Sequence, residues 1–130
     1  MKLQPDKADT QVITGYGAGW VSLGFFVDGK PTQEKLNHSF VIGSHGERLD
    51  WHGISLVQLT PEHFEQVAHF APELVIFGSG SKLKFPAPAL QRALMQARIG
   101  LETMDTLAAC RTYNILAGEG RHVLAVLLAD

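Results

Sequence analysis

Two segments of this 130-residue chain carry side chains suited to chemistry. The first, MDTLAACRTYNIL at 104–116, holds the chain's one cysteine, Cys110, beside Arg111. With Thr106 read as a helix N-cap, Cys110 is the fourth helical residue, close to the positive end of the helix dipole. That position and the neighbouring guanidinium both favour a thiolate. At about 100° per residue, Cys110, Leu107, Arg111 and Asn114 share one side of the helix, and Ala109, Tyr113 and Leu116 take the opposite, core-facing side. The polar edge suits an anion clamp at Arg111 with Cys110 as sensor or nucleophile. The competing reading is a small buried Cys110, with Arg111 paired to Glu102 or Asp105. A nucleophilic cysteine needs a base placed by the fold, and no histidine is tied to this one by sequence.

The second segment, GSGSKLK at 78–84, follows the apolar run LVIF. Ligands of α/β sheets bind outside the carboxyl ends of the strands. If the strands before these two segments run parallel, both segments emerge on one rim of the sheet. Gly78, Ser79, Gly80, Ser81 and Lys82 would then face Asp105, Thr106, Cys110, Arg111 and Asn114 across a pocket able to hold a small anion. These ten residues are ligand-binding candidates, and none is assigned as catalytic. The loop lacks the Gly-Lys-Ser/Thr of a phosphate-binding P-loop and the third glycine of a dinucleotide fingerprint.

Other chemistries find no support. His38, His45 and His52 are seven residues apart and His63 and His69 six, spacings that match no zinc motif, so neither metal nor cofactor is expected. Glu62, Glu65, Glu34 and Asp28 read as solvated carboxylates, and no Gly-x-Ser-x-Gly elbow is present.

The elements that must position these residues divide into two halves. Residues 10–59 show short strands and tight turns. WVSLGFFV (20–27) alternates with Val21, Leu23, Phe25 and Val27 on one face, and ends at the turn Asp28-Gly29. HSFVIG (38–43), RLDW (48–51) and ISLVQL (54–59) add further strands. From residue 60 the period lengthens: Thr60 and Pro61 open a helix that Pro72 stops, and residues 73–78 form a buried strand. A helix at 89–98 ends at Gly100, LETM (101–104) is a strand, and the helix from Thr106 runs to Gly118. The apolar run HVLAVLLA (122–129) closes the chain as an interior strand. Strands followed by alternating helices and strands favour parallel pairing with right-handed crossovers. The expected architecture is a single α/β domain over 1–130: three-layer β/β/α, with a mixed, largely parallel central sheet and a small N-terminal antiparallel β layer.

Composition narrows the function classes. Hydrophobic residues make up 45% and charged residues 18%, a globular balance. A net charge of −2, a pI near 6.3 and scattered Lys and Arg leave no footprint for nucleic acid or an anionic membrane surface. The longest apolar run, at 123–129, falls far short of the about 20 residues a membrane-spanning helix needs. One cysteine makes no internal disulfide, and the first eleven residues lack the apolar core of a signal peptide, so a cytoplasmic chain is expected.

LVIFGSGSKLKFP, IGLETMDTLAACRTYNILAGEGR and the closing apolar strand resemble the signature segments of the Mth-type domain-of-unknown-function family. The likeness is densest over 73–129 and extends through Gly15-Tyr16-Gly17, HSFVIG and Trp51. That family includes small bacterial and archaeal proteins and the mitochondrial assembly factor for respiratory complex I. The resemblance implies a three-layer β/β/α fold and no established reaction, hence a non-enzymatic protein-interaction or assembly module. The alternative is the small-anion pocket described above. For a module, a partner surface is expected at Tyr16, Trp20 and Phe26, opposite the Val21/Leu23/Phe25 stripe.

Overall fold

The computed structural model describes residues 11–130, so most of the N-terminal segment judged for a signal peptide lies outside the described residues. Three strands, β1 (Val12–Gly17), β2 (Trp20–Val27) and β3 (Lys30–Leu36), form an antiparallel sheet in the order β1-β2-β3. A second sheet has the order β5-β4-β8-β6-β7, built from β4 (Ser39–Gly43), β5 (Arg48–Trp51), β6 (Leu74–Gly78), β7 (Gly100–Met104) and β8 (Val123–Leu127). In it β6 runs parallel to both β7 and β8, whereas β4 is antiparallel to β8 and β5. The helices are α1 (Pro61–His69), α2 (Arg92–Gln96) and α3 (Thr106–Gly118). The fold is the mixed α/β arrangement expected, and the carboxyl ends of β6 and β7 lie side by side, with Gly78 opposite Met104.

The central sheet is buried on both faces, which is why β4, β6 and β8 are nearly continuous apolar runs. Ile42, Ile76, Val123, Ala125 and Leu127 point to the side of the N-terminal sheet, packing with Ile13, Val21, Leu23, Leu36 and the α3 residues Ala109, Cys110, Tyr113 and Ala117. Val41, Val75, Phe77, Leu124 and Val126 point to the other side and meet Phe64, Val67 and Leu94 of α1 and α2. The period-2 alternation of β8 thus supplies both cores from one strand.

Three local expectations are corrected. Residues 54–59 are not a strand: Ser55 and Gln58 bond each other's backbone and side chains, which folds Leu56–Gln58 into a 3-10 turn. The helix expected over 89–98 divides into a 3-10 turn at Pro88–Gln91 and the short α2. Asp105, not Thr106, caps α3: its carboxylate accepts the Ala108 N–H at 2.9 Å.

The edge strand β1 is held to α3 by a side chain that acts as a neighbouring strand would. Asn114 accepts the Ile13 N–H at 2.9 Å and donates to the Ile13 carbonyl at 2.7 Å. The outward backbone groups of a buried position are thereby satisfied. Tyr113 reinforces the seam, its hydroxyl donating to the Gln11 carbonyl at 2.7 Å. Asn114→Ala is expected to destabilise the protein by about 1–3 kcal/mol, since it leaves both groups unpaired. Urea unfolding followed by Trp fluorescence measures this.

Candidate functional site

The Gly-rich loop and the start of α3 do meet on one rim, joined by a hydroxyl. Thr106 Oγ1 accepts the Gly80 N–H at 2.9 Å and donates to the Leu128 carbonyl at 2.8 Å, while the Thr106 N–H donates to the Gly80 carbonyl at 2.9 Å. The Leu128 N–H returns to the Gly78 carbonyl at 3.0 Å. The ends of β6, β7 and β8 are thus fastened by one side chain. Gly78 permits this approach: a Cβ there would lie 2.9 Å from the Thr106 Cα.

The loop's own donors are largely used internally. The Ser79 N–H donates to the Met104 carbonyl at 2.9 Å, and the Ser79 hydroxyl donates to the Lys82 carbonyl at 2.7 Å and accepts the Lys84 N–H at 3.0 Å. The Ser81 N–H donates to the Asp130 carboxylate at 3.0 Å, and the Ser81 hydroxyl donates to the same oxygen. Gly80 has a φ of +113°, and a Cβ there would collide with that carboxylate. The two Ser81 bonds, helped by Lys84 and Lys82, hold the Asp130 carboxyl below its ordinary range. The bonds therefore persist at neutral pH and are lost as pH falls through that lowered value.

A cleft of about 370 Å³ opens beside this rim. One wall is Gly80, Ser81 and the α3 start at Asp105, Thr106 and Leu107; the other is the β1–β2 turn at Gly17–Trp20, with Val21 and Leu36. Asn37, His38, Phe40 and the chain from Leu127 to Asp130 complete it. Its polar side chains are mostly committed elsewhere: His38 Nε2 lies 2.7 Å from Asp50, Asp105 caps α3, and Ser81 and Asp130 hold each other. What the cleft presents is chiefly apolar surface.

Of the ten candidate residues, Gly80, Ser81, Asp105 and Thr106 line this cleft. Gly78 and Ser79 are buried behind it, and Lys82 is exposed on the loop. The α3 trio does not converge on it. Cys110 is fully buried in the core with Ala109 and Tyr113, and burial pushes its thiol up to about 12 against the weaker opposing pull of Arg111. The buried reading of Cys110 therefore fits the structure and the reactive-thiol reading does not, because desolvation outweighs the guanidinium. Arg111 is exposed, its guanidinium 5.9 Å from the Tyr16 ring centre and bonded to the Tyr16 hydroxyl at 3.3 Å. Asn114 holds β1 through both atoms of its side-chain amide and does not line the cleft. The sequence reading missed Trp20, His38, Leu107 and Asp130 as cleft residues. No spacing rule links residues so far apart, although the Gly-Ala-Gly-Trp turn at 17–20 hinted at close approach. Of the expected partner residues, Phe26 is 49% exposed, while Tyr16 and Trp20 are half-buried.

Iodoacetamide at pH 7 is expected to leave Cys110 unmodified in the folded chain and to alkylate it rapidly in urea. Mass spectrometry of the intact chain distinguishes this from ready modification of the native state.

Comparison with known proteins gives a family and several relatives. The family model described as a protein of unknown function (DUF498/DUF598) matches residues 13–128. The chain is 34% identical over 82 residues to the Bos taurus NADH dehydrogenase [ubiquinone] 1 alpha subcomplex assembly factor 3, covering 62% of this chain and 45% of that one. It thus spans less than half the length of that relative. It is 27% identical over 99 residues to the 13 kDa major membrane protein of Francisella tularensis, covering 72% and 77% of the two chains. A crystal structure of a Bordetella parapertussis protein superposes with a TM-score of 0.79 at 31% identity, covering 93% of this chain and 97% of the other. Among the described residues no helix is long and apolar enough to cross a membrane.

Proposed function

The chain belongs to the DUF498/DUF598 family of proteins of unknown function, and we propose that it serves as a non-enzymatic protein-interaction module of the assembly-factor kind. The observation that carries this reading is the cleft: a concave, largely apolar surface whose polar neighbours are mostly satisfied within the protein. Such a surface accepts an apolar side chain of a partner and offers no nucleophile–base pair to a substrate. The loop forming one wall continues into Leu83 and Phe85, 54% and 69% exposed, which extend the apolar contact area beyond the cleft. The relatives that are named as assembly factors support the same reading. We place the chain in the cytoplasm, on the composition and single cysteine that need no oxidising compartment.

One observation favours a second reading, the binding of a small anion. Ser81 already holds a carboxylate with its backbone and hydroxyl, in the field of Lys82 and Lys84. A free anion would have to displace Asp130, so this reading predicts binding that strengthens in Asp130→Asn.

Leu107 lies at the cleft wall and is half-buried, so Leu107→Glu obstructs the cleft with little expected effect on folding. Proteins co-purifying with the tagged chain are expected to include a stoichiometric partner that Leu107→Glu loses while its melting temperature is kept. Equal recovery by both chains would remove the cleft from the interaction.

A further inference from the structure

Folding creates two His–carboxylate clusters from histidines whose spacing suggested none: His38, Asp50 and His52, and His45, Glu47 and His122. In each, the candidate ligand atoms lie within 4.8 Å of one another. We propose that His45, Glu47 and His122 form a binding site for a divalent ion of the zinc class, with the remaining coordination open to water. This is independent of the cleft, since none of the three residues lines it.

The donor set suits such an ion: two imidazoles and one carboxylate are ordinary ligands of zinc and its neighbours, and three protein ligands leave a position free. The scaffold beneath them is rigid. The Ser44 N–H donates to the Val123 carbonyl at 3.0 Å, and the Ser44 hydroxyl donates to the Arg121 carbonyl at 2.7 Å and accepts the Val123 N–H at 3.0 Å. These bonds set the β4–β5 turn against the residues leading into β8, and so bring His45 to His122 across 77 positions of sequence. Gly43 makes room for the carboxylate, because a Cβ there would overlap Glu47 Oε1.

Charge selects this cluster over the other. Asp50 is already neutralised by Arg48, which donates to it at 2.9 Å and would repel an arriving cation. Glu47 has a side chain only 11% exposed, and its charge partner among the described residues is His122, at 2.5 Å. One Glu47 oxygen accepts the His45 N–H at 3.0 Å, which aims the other toward the imidazole. A mostly buried carboxylate facing two imidazoles is what a cation fills.

Closure requires two adjustments, one at His45 and one at the contact between His122 and Glu47. The His45 and His122 rings are stacked, 4.0 Å apart and 2° from parallel, and an ion cannot lie in both ring planes at once. His122 and Glu47 already face each other; His45 is exposed on its turn and leaves the stack by rotating about its side-chain bonds. The ion then replaces the 2.5 Å contact between His122 Nε2 and the carboxylate, the two parting to about 3 Å or more to hold it, with His45 closing over it.

Zinc chloride titrated into the EDTA-stripped full chain, followed by histidine imidazole NMR, tests this. Expected are joint shifts of His45 and His122 complete at one equivalent, and an affinity about tenfold or more weaker in Glu47→Gln and His45→Ala. His45→Ala removes an exposed side chain, so its backbone spectrum should match the parent. Unchanged affinity in both variants, shifts confined to His38 and His52, or no response to millimolar zinc would each overturn the proposal.

Discussion

The hydroxyl of Thr106 holds together the rim that borders the candidate cleft. It accepts from Gly80, donates to Leu128, and sits on the residue that begins α3, so the exits of three strands meet at one oxygen. Without it the buried Gly80 N–H would lose its partner at the place where β6 leaves the sheet. The position of the Gly-rich loop, the entry angle of α3 and the path of the last residues toward Asp130 all depend on that bond. The cleft is the space left between this fastened rim and the β1–β2 turn.

The same rim engages most of its own hydrogen-bond donors within the protein. Glycines, serines and a helix start are features that bind anions when their donors are free. Here Thr106, Asp130 and Met104 occupy most of those donors, and the side chains with the most chemical potential are placed elsewhere. Cys110 fills the core, Asn114 pairs with an edge strand, and Arg111 lies over Tyr16. The remaining surface is apolar and concave.

Much of the architecture was legible because the signals were local. The alternation in residues 20–27, the Thr60-Pro61 helix start and the apolar run of β8 each encode their element within a few residues. The parallel pairing of β6 with β7 followed from the helix between them, and it put the loop and α3 on one rim as expected. Errors arose where side chains compete with backbone patterns. Ser55 and Gln58 turn an apolar stretch into a 3-10 turn, and Asp105 takes the capping role from Thr106. Of the two readings of Cys110 the buried one matches the fold, because α3 is wedged between the central sheet and β1 and buries a wider arc than a one-sided helical wheel allows. His122 joined His45 only through the pairing of β4 with β8, which no spacing in the sequence records.

The dependence on Thr106 is measured most directly in Thr106→Val, which keeps the shape and deletes the hydroxyl. Amide hydrogen exchange by NMR, together with urea unfolding, should show faster exchange at Gly80 and a loss of about 1–3 kcal/mol in stability. Exchange at Gly80 and a stability both indistinguishable from the unsubstituted chain would mean that the rim is held by something else.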